Sequence, residues 1–245
     1  MSRTVADHTG NRPKRSIVLW LQRFVLWLSN HWLAVFNTFF FVYVSLPFLA
    51  PILLVAGFHD AADTIYAAYK ITCHQFPSRA YFIFGEQVAL CHRDVALYGT
   101  LFIGGVVFNF IRDWLKPLPL RWYVFFMVPM ALDAGMAMAS DWLAVGVPMS
   151  ILWAVGLIAL GIVSFILRSQ NYLTWHSYVF FAFGPLALLY LQFFGPHESN
   201  LFLRNLTGFI LGLGTIWYAY PLMDSTFADV HKEVTAKLAQ ASESA

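Results

Sequence analysis

The chain has 245 residues, of which 59% are hydrophobic, 18% aromatic and only 11% charged. Soluble domains carry about a quarter charged residues, so the composition excludes an ordinary soluble fold and points to a helical membrane protein. A net charge of +2 excludes nucleic-acid binding, which needs clustered Lys and Arg on one face, and two cysteines are too few for a disulfide scaffold.

In chain order, "MSRTVADHTGNRPKRS" is basic and no short apolar run with a cleavage site follows it, so a cytoplasmic tail is expected rather than a signal peptide. Residues 16 to 30 are apolar but interrupted by Gln22 and Arg23, and read as an interfacial helix lying flat. The first unit is thus residues 1–31. Crossing a bilayer takes about 20 apolar residues as a helix. Residues 32 to 57, 95 to 111, 121 to 140, 142 to 167, 174 to 194 and 201 to 221 meet that need, with Pro47 and Pro51 expected to kink the first. The fold class is therefore all-α, a polytopic bundle of about six spans over residues 32–222, with an outer Cys-His loop at 58–94. Little more than Asp141 separates the third and fourth spans, which predicts a tight hairpin. Residues 223–245 form an amphipathic tail, with Phe227, Val230, Val234 and Leu238 on one face.

An inside N-terminus puts eleven of the fifteen Lys and Arg residues on the cytoplasmic side. Only Lys70, Arg79, Arg93 and Arg204 fall outside, so both termini are expected in the cytoplasm. The Cys-His segment, the region of Asp133 and Asp141, and "GPHESNLFLR" then meet at the outer face.

Cys73, His74, Cys91 and His92 are residue types that suit tetrahedral zinc. Adjacent ligands point in different directions, so Cys73, His74, Cys91 and Asp94 make an easier set, with Cys91 and Asp94 three apart at a helix start. A Cys73–Cys91 disulfide is the alternative in an oxidising compartment, and both stay open. Asp94 also complements the helix N-terminus that it opens, and Tyr98 follows one turn later. Asn200, Arg204, Gly208 and Gly212 form a row of small or polar residues that should face protein. Arg204 on that row needs a partner, with Asp94, Glu198 or Asp133 as candidates. Asp133, a carboxylate within a span, is a site candidate by cost alone. His176, beside Trp175, reads as an interfacial residue.

The block "CHQFPSRAYFIFGEQVALCHRDVALYG" resembles a prokaryotic membrane family, domain of unknown function 2085. The matching positions are Cys73, His74, Gln75, Pro77, Arg79, Gly85, Gln87, Cys91, Arg93, Asp94 and Tyr98. A second block, "ESNLFLRNLTG", supplies Glu198, Ser199, Arg204, Thr207 and Gly208. Other members place a second Cys where this chain has Asp94, and the family pattern leaves the position of His92 free. The resemblance implies a prokaryotic cell (inner) membrane and a site without an assigned reaction.

Three functions follow as expectations. The first is a structural or accessory subunit, associated with the lipid bilayer and with other membrane subunits or copies of itself. The second is a zinc-dependent enzyme acting on a lipid or lipid-linked substrate at the outer leaflet. There Asp133 or Glu198 would serve as base, and Arg79, Arg93 or Arg204 would hold a phosphate. The third is a transporter with Asp133 and Arg204 on its path.

Overall fold

The computed structural model describes residues 12–169 and 175–243. The start of the basic tail and the side chain of His176 lie outside the described residues. Seven helices are α1 (Arg12–Val55), α2 (His59–Tyr69), α3 (His92–Ile111), α4 (Leu120–Ala144), α5 (Met149–Ser169), α6 (Trp175–Phe194) and α7 (Leu201–Glu243). Between α2 and α3 a short 3-10 turn, Pro77–Arg79, leads into an antiparallel hairpin of β1 (Ala80–Ile83) and β2 (Glu86–Cys91). Among the described residues the molecule is an all-α bundle apart from this hairpin. Among the described residues five helices are long and apolar enough to cross a membrane: α1, α3, α4, α5 and α7. Helix α6 adds a shorter apolar stretch, Phe181–Phe194.

Two expected boundaries are absent. Helix α1 runs unbroken for 44 residues, so residues 16 to 30 continue the first span instead of forming a separate helix. Helix α7 likewise runs for 43 residues, straight through into the expected tail. At 1.5 Å per residue each is roughly 65 Å long, about twice the hydrocarbon thickness of a bilayer. The physical reason is local. No Gly or Pro interrupts residues 16 to 46 or 222 to 243. Just past residue 30, α1 packs on the far half of α7: Trp32 stacks on Phe227 with ring centroids 5.6 Å apart, and its indole N–H donates to Asp224 at 3.2 Å. Phe227, Val230, Val234 and Leu238 are all half-buried, as a single packing face requires.

The third and fourth spans also part company later than expected. Asp141 lies inside α4, and the turn is Val145–Pro148, where Gly146 takes a positive φ of 90° and Pro148 leads into α5.

Three apolar clusters hold the bundle. Trp32, Leu33, Leu101, Phe108, Ile216 and Tyr220 join α1, α3 and α7. Ala50, Ile65, Tyr69, Cys73, Ala89 and Leu90 join α1, α2 and β2 at the hairpin end. Ala139, Leu152 and Leu191 join α4, α5 and α6. Pro47 and Pro51 are fully buried within α1, and the helix continues through both.

Glycines on α7 set how closely it meets its neighbours. A Cβ on Gly212 would sit 2.7 Å from Thr100 Cβ on α3, and one on Gly208 would collide with the backbone carbonyl of Arg93. The row Arg204, Gly208, Gly212 therefore packs on α3. Gly208→Ala should lower stability by about 1–3 kcal/mol, read as a fall in the thermal midpoint in detergent. Gly161→Ala on α5, where nothing lies within 4 Å, should leave the midpoint unchanged or slightly raised.

Candidate functional site

The hairpin turns at Phe84-Gly85, where φ is 55° and 86°. Ile83 pairs with Glu86 across a two-residue loop, and positive φ at both central residues is the turn that matches strand twist. Two glutamines fasten this hairpin to the preceding linker. Gln75 donates to the Tyr66 carbonyl at 2.8 Å and to the Ala89 carbonyl at 3.2 Å, and Gln87 donates to the Gln75 carbonyl at 2.8 Å. The Tyr66 hydroxyl donates in turn to the Gln87 carbonyl. Gln75 itself holds a positive φ of 53°.

That fastening sets Cys73 beside the β2–α3 junction. The ligand atoms of Cys73, Cys91 and Asp94 lie within 4.8 Å of one another, and both cysteines are free thiols. Cys91 Sγ lies 3.1 Å from Asp94 Oδ2, so its single proton has two acceptors in reach, that carboxylate and the Cys73 sulfur. A hydrogen bond from Cys91 stabilises a Cys73 thiolate and brings that thiol down to about 6, while the same interaction and burial push Cys91 up. Three ligand groups of the right chemistry thus converge at the edge of the apolar cluster of α1, α2 and β2. His74 is not among them: it is exposed and its ring stacks on Phe76. His92 is also elsewhere, buried edge-on against the Tyr81 ring at 4.3 Å.

A second polar group lies across α3. Asp133, 5% exposed on α4, accepts from Arg93 and from Ser199 Oγ (2.8 Å) on Oδ2, and pairs with His197 Nε2 at 3.2 Å on Oδ1. The His197 backbone N–H donates to Ser140 Oγ at 2.7 Å, fixing the 195–200 segment to α4. Asn200 caps α7 by accepting the Leu203 N–H at 2.8 Å. Arg204, the fourth residue of α7, donates from Nε to the Ser199 carbonyl at 2.8 Å. Thr207 is buried and bonds back to the Arg204 carbonyl at 3.2 Å. On the rim, Arg79 Nη2 reaches both oxygens of Asp141 at 2.8 and 2.9 Å, with its guanidinium 4.9 Å from the Phe76 ring centre. The Tyr81 hydroxyl ties the hairpin to Asn205 on α7 at 2.9 Å.

The structure thus brings Arg93, Asp133, Ser199, Arg204 and Thr207 together, with Arg79 and Asp141 at the edge. Arg204 pairs with none of the three carboxylates considered for it. Glu198 is exposed and makes none of the cluster's hydrogen bonds. Tyr98 turns toward α1, its ring 4.6 Å from Tyr43 and stacked on Phe40. Sequence reasoning missed His197, although it lies beside Glu198 in the same quoted segment, and missed the role of Ser140.

The family model for a predicted membrane protein (DUF2085) matches residues 73–152, from Cys73 to the start of α5. Over 114 residues the chain is 33% identical to the uncharacterized protein MJ1492 of Methanocaldococcus jannaschii, which covers 43% of this chain and 72% of that protein. The chain belongs to the DUF2085 family. No solved structure matches it. The matched region holds Cys73, Cys91, Arg93, Asp94, Asp133 and Asp141, so in this DUF2085 protein both polar groups have most of their side chains inside it. The 195–204 segment that completes the second group lies beyond that region.

The thiol pair makes a measurable prediction. After chelation, alkylation of Cys73 by iodoacetamide should rise with a midpoint near pH 6, followed by mass spectrometry at that residue. Cys91→Ala removes the stabilising thiol and should return the midpoint to the ordinary range of about 8.5. An unchanged midpoint in that variant would refute the hydrogen bond from Cys91 as the cause.

Proposed function

We propose that this chain is a multi-pass protein of the prokaryotic cell membrane, with its hairpin end outside and both termini in the cytoplasm. In this reading it acts as a structural or accessory subunit whose outer face is a rigid polar platform. The supporting observation is the state of Asp133. A general base needs a free lone pair facing its substrate, whereas Asp133 is buried and already accepts from Arg93, His197 and Ser199. Glu198, the other candidate base, takes no part in the cluster. The carboxylate therefore serves as a clamp between α3, α4 and the 195–200 segment. The apolar surplus of α1, with Trp20 64% exposed and Trp20, Phe24 and Trp27 stacked along one stripe, is surface that a companion subunit or a second copy would cover.

Two measurements test this. In mild detergent the protein should run as a complex larger than one 27.9 kDa chain plus its micelle, and a strictly monomeric particle with no companion would count against the subunit role. Asp133→Asn should cost about 3 kcal/mol or more, because it leaves Arg93 buried without its counter-charge. A folded Asp133→Asn protein of unchanged thermal midpoint would sink the clamp.

A second reading has its own observation. Cys73, Cys91 and Asp94 supply three zinc-type ligands and leave a fourth position open, the arrangement of a catalytic rather than a closed structural site. Zinc there would be held by these three residues and would polarise or activate a bound oxygen. Purified wild-type protein should then carry about one zinc per chain, and Cys91→Ser should carry none. Absence of stoichiometric metal from the wild type removes this reading and leaves the clamp untouched.

A further inference from the structure

Helices α4, α5 and α6 surround a cavity of about 400 Å³. Among the described residues that line it, none carries a charge, a hydroxyl or an amide side chain. Trp153 brings an indole N–H, and that group already donates to Gln192 Oε1 at 3.0 Å. The three helices do meet at one end, where Ala139, Leu152 and Leu191 pack together. Helices α5 and α6 also approach at Gly156, where an added Cβ would stand 2.9 Å from Leu188 Cδ1. Between these contacts the helices do not close. A Cβ on Gly135 of α4 would meet nothing within 4 Å, so this glycine borders open space. Small residues in spans ordinarily bring helices into contact; here Gly135 leaves room instead.

Protein interiors are close-packed, with few voids larger than a water molecule, so a void of this size calls for an occupant. Water is a poor one, because a buried water needs roughly two to four polar partners and the lining offers none. A partner's helix does not fit. Such a helix is roughly 10 Å across, so a single turn of it would occupy about 400 Å³ by itself. A hydrocarbon chain satisfies both constraints. An apolar cavity of about 150 Å³ stays dry and binds a molecule the size of benzene, and this one has more than twice that volume. The source of the chain follows from where the cavity leads. Leu157 lines it and is 56% exposed, so the space is continuous with the outward surface of α5, where Ile158, Ile162 and Phe165 also stand exposed. That surface belongs to a helix long and apolar enough to cross the membrane, and lipid chains are what it meets there.

We propose that the cavity between α4, α5 and α6 binds one acyl chain of a bilayer phospholipid. Gly135 provides the room, Met136, Leu160 and Leu188 form walls, and the chain completes the packing of α5 and α6 against α4. The site does not depend on the subunit reading, on zinc or on the Asp133 clamp.

The test reconstitutes the full chain into phosphatidylcholine vesicles in which a minor part of the lipid carries a diazirine midway along one acyl chain. After irradiation, mass spectrometry maps the labelled residues. Surrounding lipid should label Phe165 and Ile103, which are exposed on α5 and α3, whatever the cavity holds. An occupied cavity should also label Met136, Leu160 and Leu188. Gly135→Phe, which fills the space from α4, should remove the label from these three residues and leave it on Phe165 and Ile103. No label on the three in the wild type, or undiminished label in Gly135→Phe, overturns the proposal. Loss of the label when a polyprenol replaces a minor part of the phosphatidylcholine reassigns the cavity to an isoprenoid and overturns the acyl chain. Should Gly135→Phe fail to fold, Gly135→Leu takes its place. If neither folds, the wild-type labelling decides, its presence supporting the site and its absence overturning it.

Discussion

The hairpin end depends on one carboxylate. Asp133 sits within an apolar helix, where an unpaired charge is expensive. Three donors from two other segments meet its two oxygens: Arg93 from α3, and His197 and Ser199 from the 195–200 segment. Ser199 then passes the connection on, because its carbonyl accepts from Arg204 of α7. Helices α3, α4 and α7 are thus joined at one point by groups whose separation would leave buried charges unpaired. Breaking any one of these bonds is costlier than its modest net contribution to folding, since the partner left behind stays buried. Arg79 and Asp141 repeat the pattern at the exposed rim, where the same pairing contributes less.

Apolar packing brings these charges close enough to matter. Gly208 and Gly212 let α7 lie directly on α3, and Gly214 lets it lie against Phe126 of α4. Close approach of α7 to α3 has an electrostatic consequence. Arg204 sits one turn before Gly208, and Gly208 touches the carbonyl of Arg93, so the contact that buries apolar surface also crowds two guanidinium groups. Asp133 compensates for one of them. The crowding of the other is a product of the helix packing and not of the loop sequence.

Much of this was legible in the sequence. Hydropathy over 20-residue windows located the helices because a bilayer imposes both length and composition on them. The polar convergence was legible too, since topology alone gathers Cys73, Asp133 and Arg204 at one end. Other features depend on contacts that no single segment encodes. The docking of α1 on the far half of α7 joins residues some 190 positions apart, as the Trp32–Asp224 bond illustrates. The hairpin was hidden because Phe84 occupies a left-handed position that Asn, Asp or Gly usually signals, although the alternating "YFIFGEQVAL" run was a cue. Arg204 had three plausible carboxylates in the sequence. Which one it would take was a question of geometry, and the answer was none, because Arg93 stands nearer to Asp133.

The two polar groups are separate in space but not in the chain. Cys91, His92, Arg93 and Asp94 are consecutive, and the start of α3 rotates each about 100° from the next. Cys91 and Asp94 therefore face Cys73 and the α2 side, His92 faces Tyr81 of the hairpin, and Arg93 faces Asp133. One helical turn distributes its side chains to three different neighbours. A metal or a disulfide at Cys73 and Cys91 would act on the same turn that positions Arg93, and Arg93 is bonded to the carboxylate that holds α4 and the 195–200 segment. The thiol group and the Asp133 clamp are thus two faces of a single rigid junction, which explains why the four polar residues "CHRD" stand together where β2 meets α3.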